Sequence, residues 1–189
     1  MTIKISKKQF YFVRHGETDW NKKRIYQGNS DIELNENGIK QAISAAKIIK
    51  KENIKYIVSS PLLRAKKTAE IISNHLHIPF AVIDELKELS LGEKEGQPIN
   101  NNDFFANWLL GVTPKGGESV YDFDQRVIKG FLKGLAYGGP VLFVSHGGVF
   151  TAIRKYLNLP LDRIENCQVV YHETTDFAKI PWISTVIET

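Results

Sequence analysis

One cysteine, Cys167, among 189 residues leaves no partner for an intrachain disulfide and no multi-cysteine metal cluster, which points to a reducing compartment. No apolar run is long enough to cross a bilayer. The opening stretch Met1 to Lys8 is charged and has no apolar segment after it of the kind a signal peptide carries, so no membrane association and a cytoplasmic location are expected. RNP, zinc-finger and helix-turn-helix signatures are missing and the basic residues are interspersed with acids, which argues against nucleic acid as a partner. There is also no P-loop, no pair of carboxylates at metal-ligand spacing and no Gly-x-Ser-x-Gly elbow. Metal-dependent hydrolysis and serine chemistry are therefore disfavoured, and neither a metal nor a cofactor is expected. Without internal repeats, low-complexity tracts or linkers, residues 1–189 read as one domain. What is present is 42% hydrophobic and 11% aromatic, with 25 Lys and Arg against 21 Asp and Glu. The net charge of +4 mildly favours anionic partners, small phosphorylated molecules among them. Nothing in the sequence speaks to oligomeric state.

Short β-branched and aromatic runs alternate with helical periods. Residues 9–13 read as a buried strand that ends by presenting Arg14 and His15, and 56–59, 80–83 and 141–145 read as further strands. Ile39, Ala42, Ile43, Ala46 and Ile49 recur at helical spacing after Asn37-Gly38, as do Ala65, Thr68, Ala69, Ile72 and Leu76 within the helix expected from Arg64 onward. Val120, Phe123, Val127, Phe131 and Leu135 mark another helix, which opens at Glu118-Ser119. Between them, 88–114 shows no sustained period beyond a short helix near 104–109. An excursion of that length in a compact domain is usually functional. The pattern predicts an α/β fold: a mostly parallel central sheet covered by helices on both faces, in three layers, with ligands gathering beyond the carboxyl ends of the strands.

Two apolar strands finish in the same way, Phe12-Val13-Arg14-His15-Gly16 early in the chain and Phe143-Val144-Ser145-His146-Gly147 far downstream. Either histidine alone would read as a turn residue. Repeated, the pattern places two imidazoles at one edge of a parallel sheet, beside glycines that let a ligand approach the backbone. A neutral imidazole nitrogen is a nucleophile toward phosphorus, and arginine forks suit phosphate oxygens. Arg14 is next to His15, and Arg64 follows the second strand closely enough to reach the same edge. Asn21 and Gln27-Gly28 fall in the loop after His15 and can donate to substrate oxygens, although turn chemistry alone would also place them there. A leaving alkoxide needs a proton, and Glu85, Glu88, Glu93 and Glu95 all lie in or beside the excursion. The residues by themselves do not choose among the four.

The run Arg14-His15-Gly16-Glu17-Thr18-Asp19-Trp20-Asn21 resembles the signature of the histidine phosphatase, or phosphoglycerate-mutase-like, superfamily. The likeness continues through Gln27-Gly28, Asp31, Ser59-Ser60-Pro61-Leu62-Leu63-Arg64-Ala65 and Thr68-Ala69. It extends over Leu86-Lys87-Glu88, Glu95-Gly96, Gly116-Gly117-Glu118-Ser119, Arg126 and Ser145-His146-Gly147-Gly148. It implies a single-domain, phosphoglycerate-mutase-like fold in which His15 forms a phosphohistidine and Arg14, Arg64 and His146 bind the transferred phosphoryl. By the same resemblance Glu88 becomes the proton donor, while Asn21, Gln27, Gly28 and Gly147 line the phosphate pocket. Lys94 departs from the tryptophan that many phosphatases of the family carry there.

The reading expected from these residues is a metal-independent phosphomonoesterase acting on a small phosphorylated metabolite, with 88–116 setting substrate preference. The alternative is a cofactor-dependent phosphoglycerate mutase. Glycolytic mutases of the family are longer and carry extra basic residues for the substrate carboxylate, whereas 96–114 here contains neither Lys nor Arg. An inactive binding module is a third reading, set against the full complement of family residues.

Overall fold

Alternation along the strands decides how the chain is layered. In strand β1 (Gln9–Arg14), Phe10 and Phe12 join one buried cluster and Tyr11 and Val13 the other. Strand β4 (Val141–Ser145) divides in the same way, Val141 and Phe143 to one side and Leu142 and Val144 to the opposite one. A strand buried on both faces has to lie inside a sheet covered twice. The structure is a computed structural model that describes residues 9–100, 103–175 and 182–188.

Among the described residues, six strands form one sheet in the order β3-β2-β4-β1-β5-β6, where β2 is Tyr56–Ser59, β3 is Phe80–Val82, β5 is Val169–Thr174 and β6 is Trp182–Ile187. Strands β3, β2, β4 and β1 run parallel, and β5 and β6 add antiparallel on the outer side of β1. The expected α/β architecture with a mostly parallel sheet is therefore the observed one.

One face carries helices α5 (Val120–Leu135) and α6 (Gly147–Leu157), whose Val127, Phe131, Phe150 and Ile153 pack on Phe10, Phe12 and Phe143. Phe10 meets Phe131 edge-on at 5.1 Å between ring centroids, and each such fully buried aromatic contributes roughly 1.5–3 kcal/mol. The opposite face carries α2 (Glu36–Ile49) and α3 (Leu63–Leu76), where Ala42, Ala45, Ala46 and Ala69 keep the contact shallow. Helix α2 starts one residue earlier than its sequence period suggests because the Asn35 side chain accepts from Gly38 N at 2.8 Å.

The strands and helices expected from the sequence end at Ser145, and three further elements follow them: α6, β5 and β6. A fourth, the single turn α1 (Asp19–Lys22), occupies what the sequence suggests is loop. Its Thr18 and Asn21 form a reciprocal capping box. Helix α4 (Asp103–Leu109) matches the short helix expected inside the excursion. Among the described residues no helix is long and apolar enough to cross a membrane.

Candidate active site

Arg14 of β1 is in register with Ser145 of β4, and His15 N donates to Ser145 O at 2.8 Å. The two histidines that follow these strands are thus brought together at the carboxyl edge of the sheet, with ring centroids 5.2 Å apart and planes inclined by 58°. His15 Nδ1 lies 2.8 Å from the Gly16 carbonyl oxygen. A carbonyl only accepts, so this contact assigns the proton to Nδ1 and leaves a lone pair on Nε2. His15 is 3% exposed. Burial, then the charges of Arg64 and Arg14, push its pKa well below the ordinary histidine value, against a weaker pull from Gly16. The imidazole is accordingly neutral at neutral pH.

His146 is fully buried beside the His15 ring. Its Nε2 is 2.7 Å from Ser60 Oγ, and its Nδ1 has no hydrogen-bond partner. Burial, then Arg64, His15 and Arg14, hold it neutral as well.

Arg64 opens α3 and is 1% exposed; its Nη1 and Nη2 donate to Ser30 O at 2.9 Å and Gly28 O at 2.7 Å, which leaves Nε unpartnered. Arg14 Nη1 donates to Ile164 O at 3.2 Å, and its Nε is likewise unpartnered. Burial lowers both guanidinium pKa values, that of Arg64 to about 10, while the Glu88 carboxylate opposes the shift in each. Both remain cationic at neutral pH. Two buried cations with donors to spare around one neutral imidazole make a site for a doubly charged oxyanion.

Of the four glutamates that the sequence left open, Glu88 is the one on the cavity wall. Its Oε1 accepts from Leu89 N and its Oε2 from Gly148 N, each at 3.0 Å. The second contact depends on glycine, since a Cβ at 148 would collide with the Glu88 carboxylate. Glu85 instead pairs with Lys133 on the surface, and Glu95 takes up Asn29 N at 2.9 Å, Ser30 Oγ at 2.6 Å and Leu91 N at 3.1 Å. Glu93 lies off the wall.

Several residues assigned no site role above prove to be the supports of this site. Arg126 on α5 grips Glu118 with Nε and Nη2 at 2.8 and 2.7 Å, and donates to the carbonyls of Glu85, Lys87 and Glu88 at 2.8, 3.0 and 3.3 Å. Ser145 Oγ donates to Leu86 O at 2.8 Å. Thr68 Oγ1 accepts from Gly16 N at 3.0 Å and donates to Arg64 O at 2.7 Å, tying the two halves of the anion site together. Asp31 accepts from Leu63 N at 2.8 Å and so supplies, from another loop, a partner for the start of α3. Most of these bonds join residues far apart in the chain, so no local sequence signal marks them.

Asn21, Gln27, Gly28 and Gly147 all border the cavity. Asn21 differs from its expected place: it sits on α1 rather than in a loop, and its Oδ1 is used at 3.1 Å by Thr18 N and Thr18 Oγ1. The Gln27 Oε1 is buried without a partner. Gly28 has φ +53°, a left-handed conformation that glycine adopts without strain and that turns its carbonyl to Arg64. The cavity measures about 520 Å³. Phe105 and Trp108 of α4 line it, so this part of the excursion is pocket wall, while Phe104 packs against the core; Asn101 and Asn102 lie outside the described residues. Among the described residues, no group of three or more His, Cys, Asp or Glu side chains is placed to hold a metal ion.

A sequence profile of the histidine phosphatase superfamily (branch 1) matches residues 10–180. Phosphatase PhoE of Bacillus subtilis (strain 168), itself uncharacterized, is 38% identical over 143 residues, which is 75% of this chain and 72% of PhoE. A protein of Yersinia pestis (strain Pestoides F) named "Probable phosphoglycerate mutase GpmB" is 32% identical over 194 residues, 94% of this chain and 88% of that one. Among solved structures, a native mycobacterial glucosyl-3-phosphoglycerate phosphatase superposes with a TM-score of 0.79 at 29% identity, covering 96% of this chain and 98% of its own.

Proposed function

Because this chain belongs to the histidine phosphatase superfamily, we propose that it is a metal-independent phosphomonoesterase that works through a phosphohistidine on His15. The observation that carries the reading is the His15 ring itself. Its Nδ1 is committed to Gly16, its Nε2 is free, and burial, then the flanking arginines, hold it neutral, while those arginines keep donors for phosphoryl oxygens.

In this reading Nε2 attacks phosphorus in line. As the P–N bond forms and the ester P–O bond breaks, the leaving alkoxide takes a proton from the Glu88 carboxyl. Water then attacks the phosphohistidine, Glu88 accepts the water proton, and inorganic phosphate departs with His15 restored. Arg14 and Arg64 donate to the equatorial oxygens through Nε, and His146 Nδ1–H provides a third donor, since Ser60 Oγ occupies Nε2. Asn21, Gln27, Gly28 and Gly147 shape the pocket around the phosphoryl group. The wall formed by 88–116 sets which small phosphorylated metabolite enters, within a single domain.

A second reading is supported by the likeness to the GpmB-type relative over most of the chain: a mutase in which the phosphoryl on His15 returns to another hydroxyl of a phosphoglycerate. The test is phosphate release from a panel of monoesters with EDTA present. Wild type is expected to turn over and His15→Ala to lose at least about 10³-fold in kcat. Equal rates for the two proteins would reject the mechanism. Interconversion of 3- and 2-phosphoglycerate, dependent on added bisphosphoglycerate and faster than hydrolysis, would establish the mutase instead.

A further inference from the structure

The cavity combines a cluster of charged groups with an extensive apolar lining. The inner end holds Arg14, Arg64 and His15. Beyond it the wall is built from Ile25, Leu91, Phe105, Trp108, Phe123 and Phe150. About two turns along α6 from Gly147, Lys155 marks the outer rim, and among the described residues the cations that border the cavity there, Lys155 and Arg163, each face a carboxylate. Lys155 Nζ is 2.8 Å from Asp124 Oδ2, and Arg163 Nε is 3.0 Å from Glu165 Oε1. The neighbouring Arg154 is matched in the same way by Asp162 at 2.8 Å.

Each end of this arrangement excludes something. A phosphoryl dianion consumes the two inner guanidinium charges, so a second anionic group on the same substrate has to be received at the rim. There the attraction of Lys155 is offset by Asp124 beside it, and no net positive charge remains to repay desolvation of a carboxylate. A polyhydroxylated alcohol fares no better against these apolar side chains, where hydroxyls lose water without finding partners. An aromatic or branched aliphatic alcohol loses nothing of the kind and gains from leaving water.

We propose that the substrate is a phosphate monoester of an apolar alcohol with no second anionic group, and that the Lys155–Asp124 pair is the specificity determinant that turns away phosphoglycerate-like esters. The proposal rests on the phosphomonoesterase reading and narrows it.

Three primary alkyl esters with comparable leaving groups separate the effects: benzyl phosphate, sn-glycerol 3-phosphate and 3-phosphoglycerate. Wild type is expected to show kcat/KM for benzyl phosphate at least about tenfold above either other ester, the scale set by burying one aromatic ring. Asp124→Asn, which leaves Lys155 uncompensated, is expected to raise the ratio of 3-phosphoglycerate to benzyl phosphate turnover by about tenfold. The same two ligands are titrated into His15→Ala protein by calorimetry, a measurement that needs no turnover. If 3-phosphoglycerate matches or exceeds benzyl phosphate in both turnover and binding, the substrate class is wrong although the phosphatase stands. An Asp124→Asn ratio equal to that of wild type removes the role assigned to the rim pair. If wild type hydrolyses none of the esters yet His15→Ala binds benzyl phosphate tenfold more tightly than 3-phosphoglycerate, the chemistry falls and the selectivity survives.

Discussion

The chemistry available to His15 is fixed by the Gly16 carbonyl that holds Nδ1–H and by burial and the two nearby guanidinium charges, which oppose a second proton. Removing either arginine would both weaken anion binding and let the ring protonate more readily, so the two effects reinforce each other. Glu88 shows the same dependence on neighbours. With its carboxylate held by Leu89 N and Gly148 N, Glu88→Gln keeps the shape and one acceptor but has no proton to give. Its kcat is expected to fall by roughly 10²-fold or more on alkyl esters and far less on nitrophenyl phosphate, whose leaving group departs without protonation. Equal losses on both substrates would remove Glu88 from the acid role. At this scale the sequence was most readable where chemistry coincides with a strand end. His15, Arg14 and His146 are legible because apolar runs stop at them. Glu88 was not separable from Glu85, Glu93 and Glu95 without the family resemblance, since what distinguishes it is a bond to a residue 60 positions away. The complete burial of His146 was equally invisible, being a matter of which side chains pack over it.

Helix α5 reaches the backbone of the 85–88 segment through Arg126. Arg126 ties Glu118, at the entrance to the helix, to three carbonyls of the 85–88 segment, and Ser145 of β4 holds Leu86 between them. Arg126→Lys keeps the charge and loses the fork, so roughly 1–3 kcal/mol of stability should go with it, read as a fall in denaturation midpoint. A positioning role adds a second signature. The alkyl-ester rate should drop about tenfold further than the aryl-ester rate, because Glu88 is displaced along with its backbone. A uniform drop on both would leave Arg126 a stabilising residue only. The elements missed in the sequence share one cause. Helix α6 begins with two glycines, poor helix formers, and is placed by the turn that immediately follows β4 rather than by propensity. Strands β5 and β6 are recognisable chiefly by their pairing, in which Val169 and Val170 lie opposite Val13 and Phe12.

Three histidines are buried in the whole molecule without charge: His15, His146 and His172, the last pushed down to about 3 by burial, with Ser184 Oγ 2.8 Å from its Nδ1. In the unfolded chain each titrates near 6.5, so below that pH the unfolded state binds more protons than the folded one. Stability is therefore fully present above about pH 6.5 and is lost as pH falls from there toward the folded-state values, by up to about 1.4 kcal/mol per pH unit for each histidine. The melting temperature should be markedly lower at pH 5.5 than at pH 7.5; a flat profile across that interval would mean that these groups are not buried neutral. The sequence by itself determined the alternation of strands and helices, the mostly parallel sheet and the four charged or nucleophilic residues at its edge. Hydrophobic period and strand ends are local properties, and a parallel sheet converts them directly into position. The tertiary structure alone decided which of the four glutamates borders the cavity, which supports hold it, that α4 walls the pocket, and that the cations at the rim are already matched by carboxylates. Those are properties of pairs of residues distant in the chain, and only the folded backbone brings such pairs within the few ångströms over which hydrogen bonds and charges act.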